Sequence, residues 1–241
     1  MKRVINFSGG KTSALMTILL KPTENDIVLF TDTGREHPLT YKFIDDFEKH
    51  EGIKVNRISY KGGFDGFLQS KDYKRIPNRM MRTCTEELKI NTSKRYLRSI
   101  GVTTYENYIG FRHDEPKRVL QFKEKFKKVK TLFPLYDQGI NKSMVNQYWS
   151  VKPYNLDIPS ILGNCDLCFL KGKDNIIKIL QLYPELADKW IRDEEESKKH
   201  FGHTYFPDVT YKGLLQIAQS QKSLFDLQDA LPAYSCSCTT F

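Results

Sequence analysis

Short apolar runs alternate with helix-spaced apolar residues along the first half of the chain. Arg3 to Phe7 is a strand-like run, and apolar residues then recur at helical spacing from Thr12 to Leu20. Ile27 to Thr31 (IVLFT) predicts a second, buried strand, with a helix to follow over Pro38–Lys49. Lys54 to Ser59 predicts a third strand. Helices fit Gly63–Ser70 and Thr85–Ser99, and two more strands fit Tyr108–Phe111 and Thr131–Leu135. Strands separated by helices imply right-handed crossovers. The expected fold is therefore α/β, with a mainly parallel five-stranded sheet flanked by helices. Beyond about Asn141 the pattern is helical: Lys142–Trp149, Asp174–Leu182, Pro184–Lys199 and Tyr211–Ser223. Pro232–Phe241 has no periodicity and predicts a tail. We expect one continuous domain, with residues 1–140 as the α/β core and 141–241 as a helical C-terminal portion.

Composition narrows the class. Of 241 residues, 39% are hydrophobic and 28% charged, ordinary values for a globular protein long enough to bury a core. No run of eighteen apolar residues is present, so no membrane partner is expected. Lys2-Arg3 leads straight into a strand pattern that Ser8-Gly9-Gly10 interrupts, which argues against a signal-peptide core and for a cytoplasmic protein. The net charge of +9 suits either a polyanionic partner, nucleic acid or nucleotide, or a generically basic protein. The densest basic stretches are Lys117–Lys130, Lys71–Arg82 and Lys89–Arg98. The acidic run Asp193–Glu196 predicts a solvated helix face.

The strand-to-helix turn Ser8-Gly9-Gly10-Lys11-Thr12-Ser13 is the first candidate site. Glycines let backbone approach a ligand closely. A helix opening there presents unpaired N–H groups and a positive dipole end to an anion. Three hydroxyls and the Lys11 charge complete a phosphate cradle, placed where open α/β sheets bind ligands. The common P-loop needs a further glycine four residues ahead of the Gly-Lys pair, and this turn lacks it.

Five cysteines with no export signal make a disulfide framework a poor explanation. Cys165 and Cys168 form a C-x-x-C in a Gly-flanked loop, and Cys84 lies eighty-one positions earlier. Metal binding or thiol chemistry is the better reading, with reduced, unliganded thiols as the alternative. Cys236 and Cys238 sit in the tail.

The turn resembles the PP-loop, SGGxDS, of the N-type ATP pyrophosphatase and PAPS reductase superfamily, whose fold is Rossmann-like (HUP-type). The usual Asp is Thr12 here, so a carboxylate that could organise a cation is missing. Residues 31–41, TDTGREHPLTY, resemble the "DTGxExPET" stretch of the PAPS reductase branch, which implies that Asp32 and Thr33 line an adenosine pocket. The bland alternative is that they cap the next helix. Residues 82–89, RTCTEELK, are similar to "CCxxLK" with one Cys rather than two. Residues 109–118, IGFRHDEPKR, resemble "GIRxDES…R", which implies that Gly110, Arg112, Asp114 and Arg118 face the anionic end of the nucleotide. FPLY at 133–136 matches "xPLxxW". The resemblance runs, in order, over about residues 3–170.

The resemblance implies ATP, or the sulfonucleotides APS or PAPS, with Mg²⁺ as ligand. APS reductases carry a CC pair, about eighty residues, then CxxC, and these hold a [4Fe–4S] cluster. Cys84, Cys165 and Cys168 would be three such ligands, leaving one iron open or ligated by Cys236 or Cys238; zinc is the second possibility. A tail thiol could instead be catalytic, as in sulfonucleotide reductases, although the family's "ECGxH" context is absent. Three functions follow as expectations. The first is ATP cleavage at the α-phosphate, with Lys11 among the positioned donors, to adenylate an acceptor (nucleic acid being one) for sulfur transfer. The second is reduction of APS or PAPS to sulfite with a thiol reductant. The third is a non-catalytic nucleotide sensor or nucleic-acid-binding module.

Overall fold

Apolar residues on both faces of the first two strand-like runs require a sheet covered on both sides, and the fold supplies one. The computed structural model describes residues 1–125, 129–163 and 165–220. Five strands, β1 (Lys2–Asn6), β2 (Ile27–Asp32), β3 (Asn56–Ser59), β4 (Tyr105–Tyr108) and β5 (Thr131–Leu132), pair in parallel in the order 3-2-1-4-5. Val4 aligns with Ile27 and Ile5 with Tyr108, so β1 is the central strand, between β2 and β4. The reversal of strand order between β1 and β4 opens a crevice at their carboxyl ends.

One face of the sheet (Ile5, Phe7, Val28, Phe30) is covered by α1 (Lys11–Leu20), α2 (Pro38–Glu51) and α7 (Lys142–Ser150). The other (Val4, Ile27, Leu29) packs on Leu97 of α4 (Thr92–Ser99) and on Val102. A third core joins α3 (Gly63–Gln69) to the C-terminal helices α8 (Lys173–Leu182), α9 (Ala187–Lys198) and α10 (Tyr211–Ser220). Asn6, buried at the end of β1, donates to Asn107 Oδ1 (2.7 Å) and to the Tyr108 carbonyl (2.9 Å). That amide pair pins β1 against β4 beneath the crevice.

Several boundaries differ from the sequence reading. The fourth strand ends at Tyr108 rather than starting there. Ile109 and Phe111 are buried because they pack on α5 (Pro116–Lys125) and Phe133, not because they lie in the sheet. The apolar run masked that change of environment. Helix α5 fell within the stretch taken only as a basic patch. Pro134 ends the fifth strand early by opening α6 (Pro134–Asp137), since proline suits a first helical turn. The helix expected over Thr85–Ser99 is two segments, a π-helix at Cys84–Asn91 running into α4.

The acidic run is the clearest correction. Asp193 and Glu194 are buried, not solvated. Glu194 accepts the backbone N–H groups of Tyr205 (3.2 Å) and Tyr211 (2.8 Å), tying α9 to the start of α10. Burial pushes its carboxyl up to about 7, against the pull of those two N–H groups. A folded pKa above the unfolded one gives stability that is fully present below the unfolded value and lost as pH rises through the folded one. Thermal stability of the wild type is therefore expected to fall between about pH 5 and 8, and Glu194→Gln to flatten that fall. Parallel pH–Tm curves for the two proteins would assign the effect elsewhere.

Candidate functional site

Helix α1 starts at Lys11 with Gly10 as its N-cap and no side-chain cap, so its first-turn N–H groups lack protein acceptors of the capping kind. The turn before it is braced from inside. Ser13 Oγ donates to the Gly10 carbonyl (2.9 Å), accepts the Ser8 N–H (3.0 Å) and lies 3.0 Å from Ser8 Oγ. Gly9 takes φ +74°, a conformation L side chains rarely adopt, and a Cβ there would lie 2.6 Å from Thr40 Cγ2. From behind, Trp149 of α7 donates its indole N–H to the Lys11 carbonyl (2.9 Å). The turn is thus held in one shape before any ligand arrives.

It opens on a cavity of about 490 Å³ whose wall includes Ser8 to Ser13, Phe30 and Thr31 of β2, Gly110, Arg112, Glu115 and Arg118 after β4, and Lys142 of α7. At Gly110 an added Cβ would meet Ser13 Cα at 3.3 Å, so the two loops pass closely over the crevice. Arg112 Nη1 lies 3.4 Å from Glu115, which also binds Arg118, and the Arg118 guanidinium sits 4.2 Å from the centroid of Phe111. Both arginines are thereby held in place. Burial lowers the Lys11 pKa, and Asp157 partly offsets it. The wall carries five cationic residues (Lys11, Lys89, Arg112, Arg118 and Lys142) against one carboxylate, Glu115, which the arginines already bind. It is built for a polyanion of nucleotide size.

The other residues singled out from sequence fall around this wall. Asp32 and Thr33 are not in it. Asp32 Oδ1 accepts the Gly34 N–H (2.7 Å) and the Tyr41 hydroxyl (2.8 Å), which shapes the turn after β2. Thr33 is buried, donates to Glu36 (3.2 Å) and lies 3.4 Å from Cys165 Sγ. Asp114 pairs with Arg112 at 3.0 Å, outside the cavity lining. Cys236 and Cys238, with the rest of the tail, lie outside the described residues, as does the end of the last predicted helix.

Cys84 and Cys165 pack half-buried against one core and Cys168 is buried, while among the described residues no three His, Cys, Asp or Glu side chains are grouped to hold a metal ion. The CxxC loop docks on the turn after β2: Glu36 and Cys165 form an antiparallel bridge, and the Asp166 N–H bonds the Arg35 carbonyl (2.9 Å). Cys84 and Cys168 influence each other electrostatically, as do Cys165 and Cys168. Burial pushes all three thiols up, Cys84 to about 11. Two buried lysines, Lys89 of the CCxxLK-like segment and Lys171, which no sequence motif singled out, lie in the same region. Lys89 Nζ lies 3.7 Å from Glu36; burial opposes its charge, but Glu36 and the three cysteines outweigh that and raise its pKa. Lys171 donates to the carbonyls of Ile161 and Gly163 (2.6 Å to the latter) and fixes the strap between cavity and cysteines. The π-helix explains Lys89. An i→i+5 repeat stacks residue 89 over Cys84, whereas in an α-helix the two would diverge by roughly 140°. Lys89 also lines the nucleotide-sized cavity, so the Cys84 helix contributes to its wall.

Residues 2–155 match the phosphoadenosine phosphosulfate reductase domain. The chain belongs to that family. An uncharacterized nin region protein of Escherichia phage lambda is 31% identical over 204 residues, covering 73% of this chain and 68% of the phage protein. An uncharacterized protein of Methanocaldococcus jannaschii is 29% identical over 207 residues, 82% of this chain but 42% of its own length. The chain thus spans less than half of that archaeal relative. Adenosine 5'-phosphosulfate reductase of Pseudomonas aeruginosa is 42% identical over 55 residues, 23% of this chain and 21% of the reductase. The PAPS reductase family implies adenine-nucleotide binding, in keeping with the cradle. Among the described residues no helix is long and apolar enough to cross a membrane.

Proposed function

We propose that this member of the PAPS reductase family binds ATP in the Ser8–Ser13 cradle, cleaves it at the α-phosphate, and adenylates an acceptor for cysteine-dependent sulfur transfer. The observation that carries the reading is the intact, pre-braced cradle, whose cavity is lined in part by Lys89, a lysine of the Cys84 helix. The α1 N–H groups and Lys11 would bind the β- and γ-phosphates. Arg112 and Arg118 would hold the charge that develops at the α-phosphate, and positioning of this kind supplies most of the rate in such transfers. The cavity's one carboxylate, Glu115, is already engaged, so Mg²⁺ would arrive on the nucleotide rather than on a protein site. A nucleic acid is one acceptor consistent with the +9 charge.

The donor set suits an iron–sulfur cluster. Three thiols come from two distant segments, Cys168 buried and Cys84 and Cys165 half-buried, and buried Lys89 and Lys171 would offset the negative charge of a polythiolate cluster. Cys84, Cys165 and Cys168 would hold it, and when bound it supplies a Lewis-acidic iron for a sulfur ligand.

The 42% identity over 55 residues to adenosine 5'-phosphosulfate reductase favours a second reading, attack of a thiolate on the sulfonate sulfur of APS or PAPS with release of sulfite. Product analysis under anaerobic conditions separates the two. ATP with Mg²⁺ should yield AMP and pyrophosphate; sulfite from APS or PAPS with a thiol donor would replace the first reading by the second. Iron and sulfide analysis should give about four of each per chain, and Cys84→Ala should remove most of both. Retention of full iron in Cys84→Ala would exclude Cys84 as a ligand.

A further inference from the structure

A second cavity, of about 510 Å³, lies at the open edge of the sheet. β3 is the edge strand, and the cavity runs from its end (Ser59, Tyr60, Lys61) to the first turns of α4 (Thr92, Arg95, Tyr96). Among the described residues its lining contains two cations, two tyrosines and two small hydroxyls, and no carboxylate. Lys61 and Arg95 are exposed, and neither forms an ion pair among the described residues. Unpaired cations in a carboxylate-free cleft are arranged for an anion.

The aromatic groups narrow the class of anion. The Arg95 guanidinium lies 5.4 Å from the centroid of Tyr60, and its Nη2 donates to Thr92 Oγ1 (3.3 Å). Tyr60 is fixed in turn by its edge-on contact with Phe67 (6.0 Å between centroids) and by Ser70 (3.2 Å). Tyr96 is held by Asn56 Oδ1 (3.3 Å). A guanidinium backed by a ring, with a second tyrosine beside it, is a stacking platform for an unpaired base. Cations continue past the cleft: Arg98 is exposed one turn beyond Arg95 on the same face of α4, and Lys94 flanks it. One phosphate would not use them all; a strand would.

We propose that this edge cleft binds single-stranded nucleic acid, with a base stacked on the Arg95–Tyr60 pair and the phosphates tracked by Lys61, Arg95 and Arg98. The cleft is distinct from the nucleotide cavity but adjacent to it. Thr31, which lines that cavity, lies 3.0 Å (Oγ1 to Oγ) from Ser93, the neighbour of Thr92. The proposal does not depend on what the nucleotide cavity catalyses.

The test is fluorescence anisotropy of the full chain with a labelled single strand of about twelve nucleotides, without ATP. Lys61→Gln/Arg95→Gln should weaken binding about ten-fold and reduce the slope of log K against log salt by roughly 0.7 per lost cation. Tyr96→Leu should weaken it about five-fold with the slope unchanged. Lys42→Gln, on α2 and paired with Asp46, should change nothing. The Lys61→Gln/Arg95→Gln protein should keep its ATP affinity, which shows that it is folded and separates this proposal from the function proposed above. Wild-type binding by both cleft variants would overturn it. So would preference for duplex, or displacement of the strand by an equal concentration of AMP.

Discussion

Gly9→Ala should weaken ATP binding by about 100-fold or more. At φ +74° an L side chain is strained by roughly 1–2 kcal/mol. Its Cβ would also lie 2.6 Å from Thr40 Cγ2 and 3.3 Å from Phe30 Cε2. Thr40 is buried on α2 and Phe30 lies in the central sheet, so neither yields cheaply. The loop must shift instead, and it carries the N–H groups that would face the phosphates in the proposed function. Lys11→Met tests charge without touching shape and should cost less, because desolvation already lowers the Lys11 pKa and its backbone stays held by Trp149. Titration calorimetry gives both numbers. The rise in Tm with ATP gives an independent reading, since a ligand that binds only the folded state stabilises it by mass action. Unchanged affinity in Gly9→Ala would mean that ATP does not use this turn.

Arg35→Met should destabilise the fold by about 3–5 kcal/mol, measured as a fall in the denaturant midpoint. Arg35 is 2% exposed and lies between the rings of Phe64 (4.7 Å) and Trp190 (5.1 Å). Its Nη2 binds Asp65 and, at 2.8 Å, Asp193, which also accepts the Tyr205 hydroxyl (2.9 Å). Burial pushes the Asp193 carboxyl up and Arg35 pulls it back, so removing Arg35 leaves a buried charge with only the half-exposed Arg192, at 3.5 Å, to pair it. Lysine does not replace a planar fork stacked between two rings. Replacing both partners, Arg35→Met with Asp193→Leu, should recover much of the loss, because the main penalty is the weakly paired carboxylate. If the double variant is no more stable than the single, the cost lies in packing instead. The same residue places the cysteines: its carbonyl receives the Asp166 N–H inside the CxxC loop. Arg35 therefore joins the turn after β2 to the helical C-terminal portion.

The legible and the illegible parts of this protein divide by the range of the interactions. Local pattern was sufficient for the strands β1 to β3, for α1 to α3 and for the parallel sheet, because a strand buried on both faces and an amphipathic helix each write their periodicity into a short window. The cradle was legible for the same reason: Gly9, Gly10 and the hydroxyls around Lys11 all act within one turn. The misplaced fourth strand shows the limit. Ile109 and Phe111 are apolar whether they lie in a sheet or under α5, and periodicity alone cannot separate the two.

What only the tertiary structure decided is what depends on partners distant in sequence. Asp193 and Glu194 look like any acidic helix face until Arg35 and the backbone of Tyr205 and Tyr211 are packed against them. Asp32 and Thr33 sit in a motif whose resemblance pointed to the nucleotide, yet the turn uses one and the cysteine site faces the other. Lys89 was legible as the lysine of the CCxxLK-like segment, but its place beside Glu36 was not, since an eight-residue π-helix differs from an α-helix by one bond in register. By itself, then, the sequence determined the fold class, the glycine-rich strand-to-helix turn and which cysteines were candidates. Burial, and the pairing that burial demands of every charge, decided which of those residues meet and what stands between them.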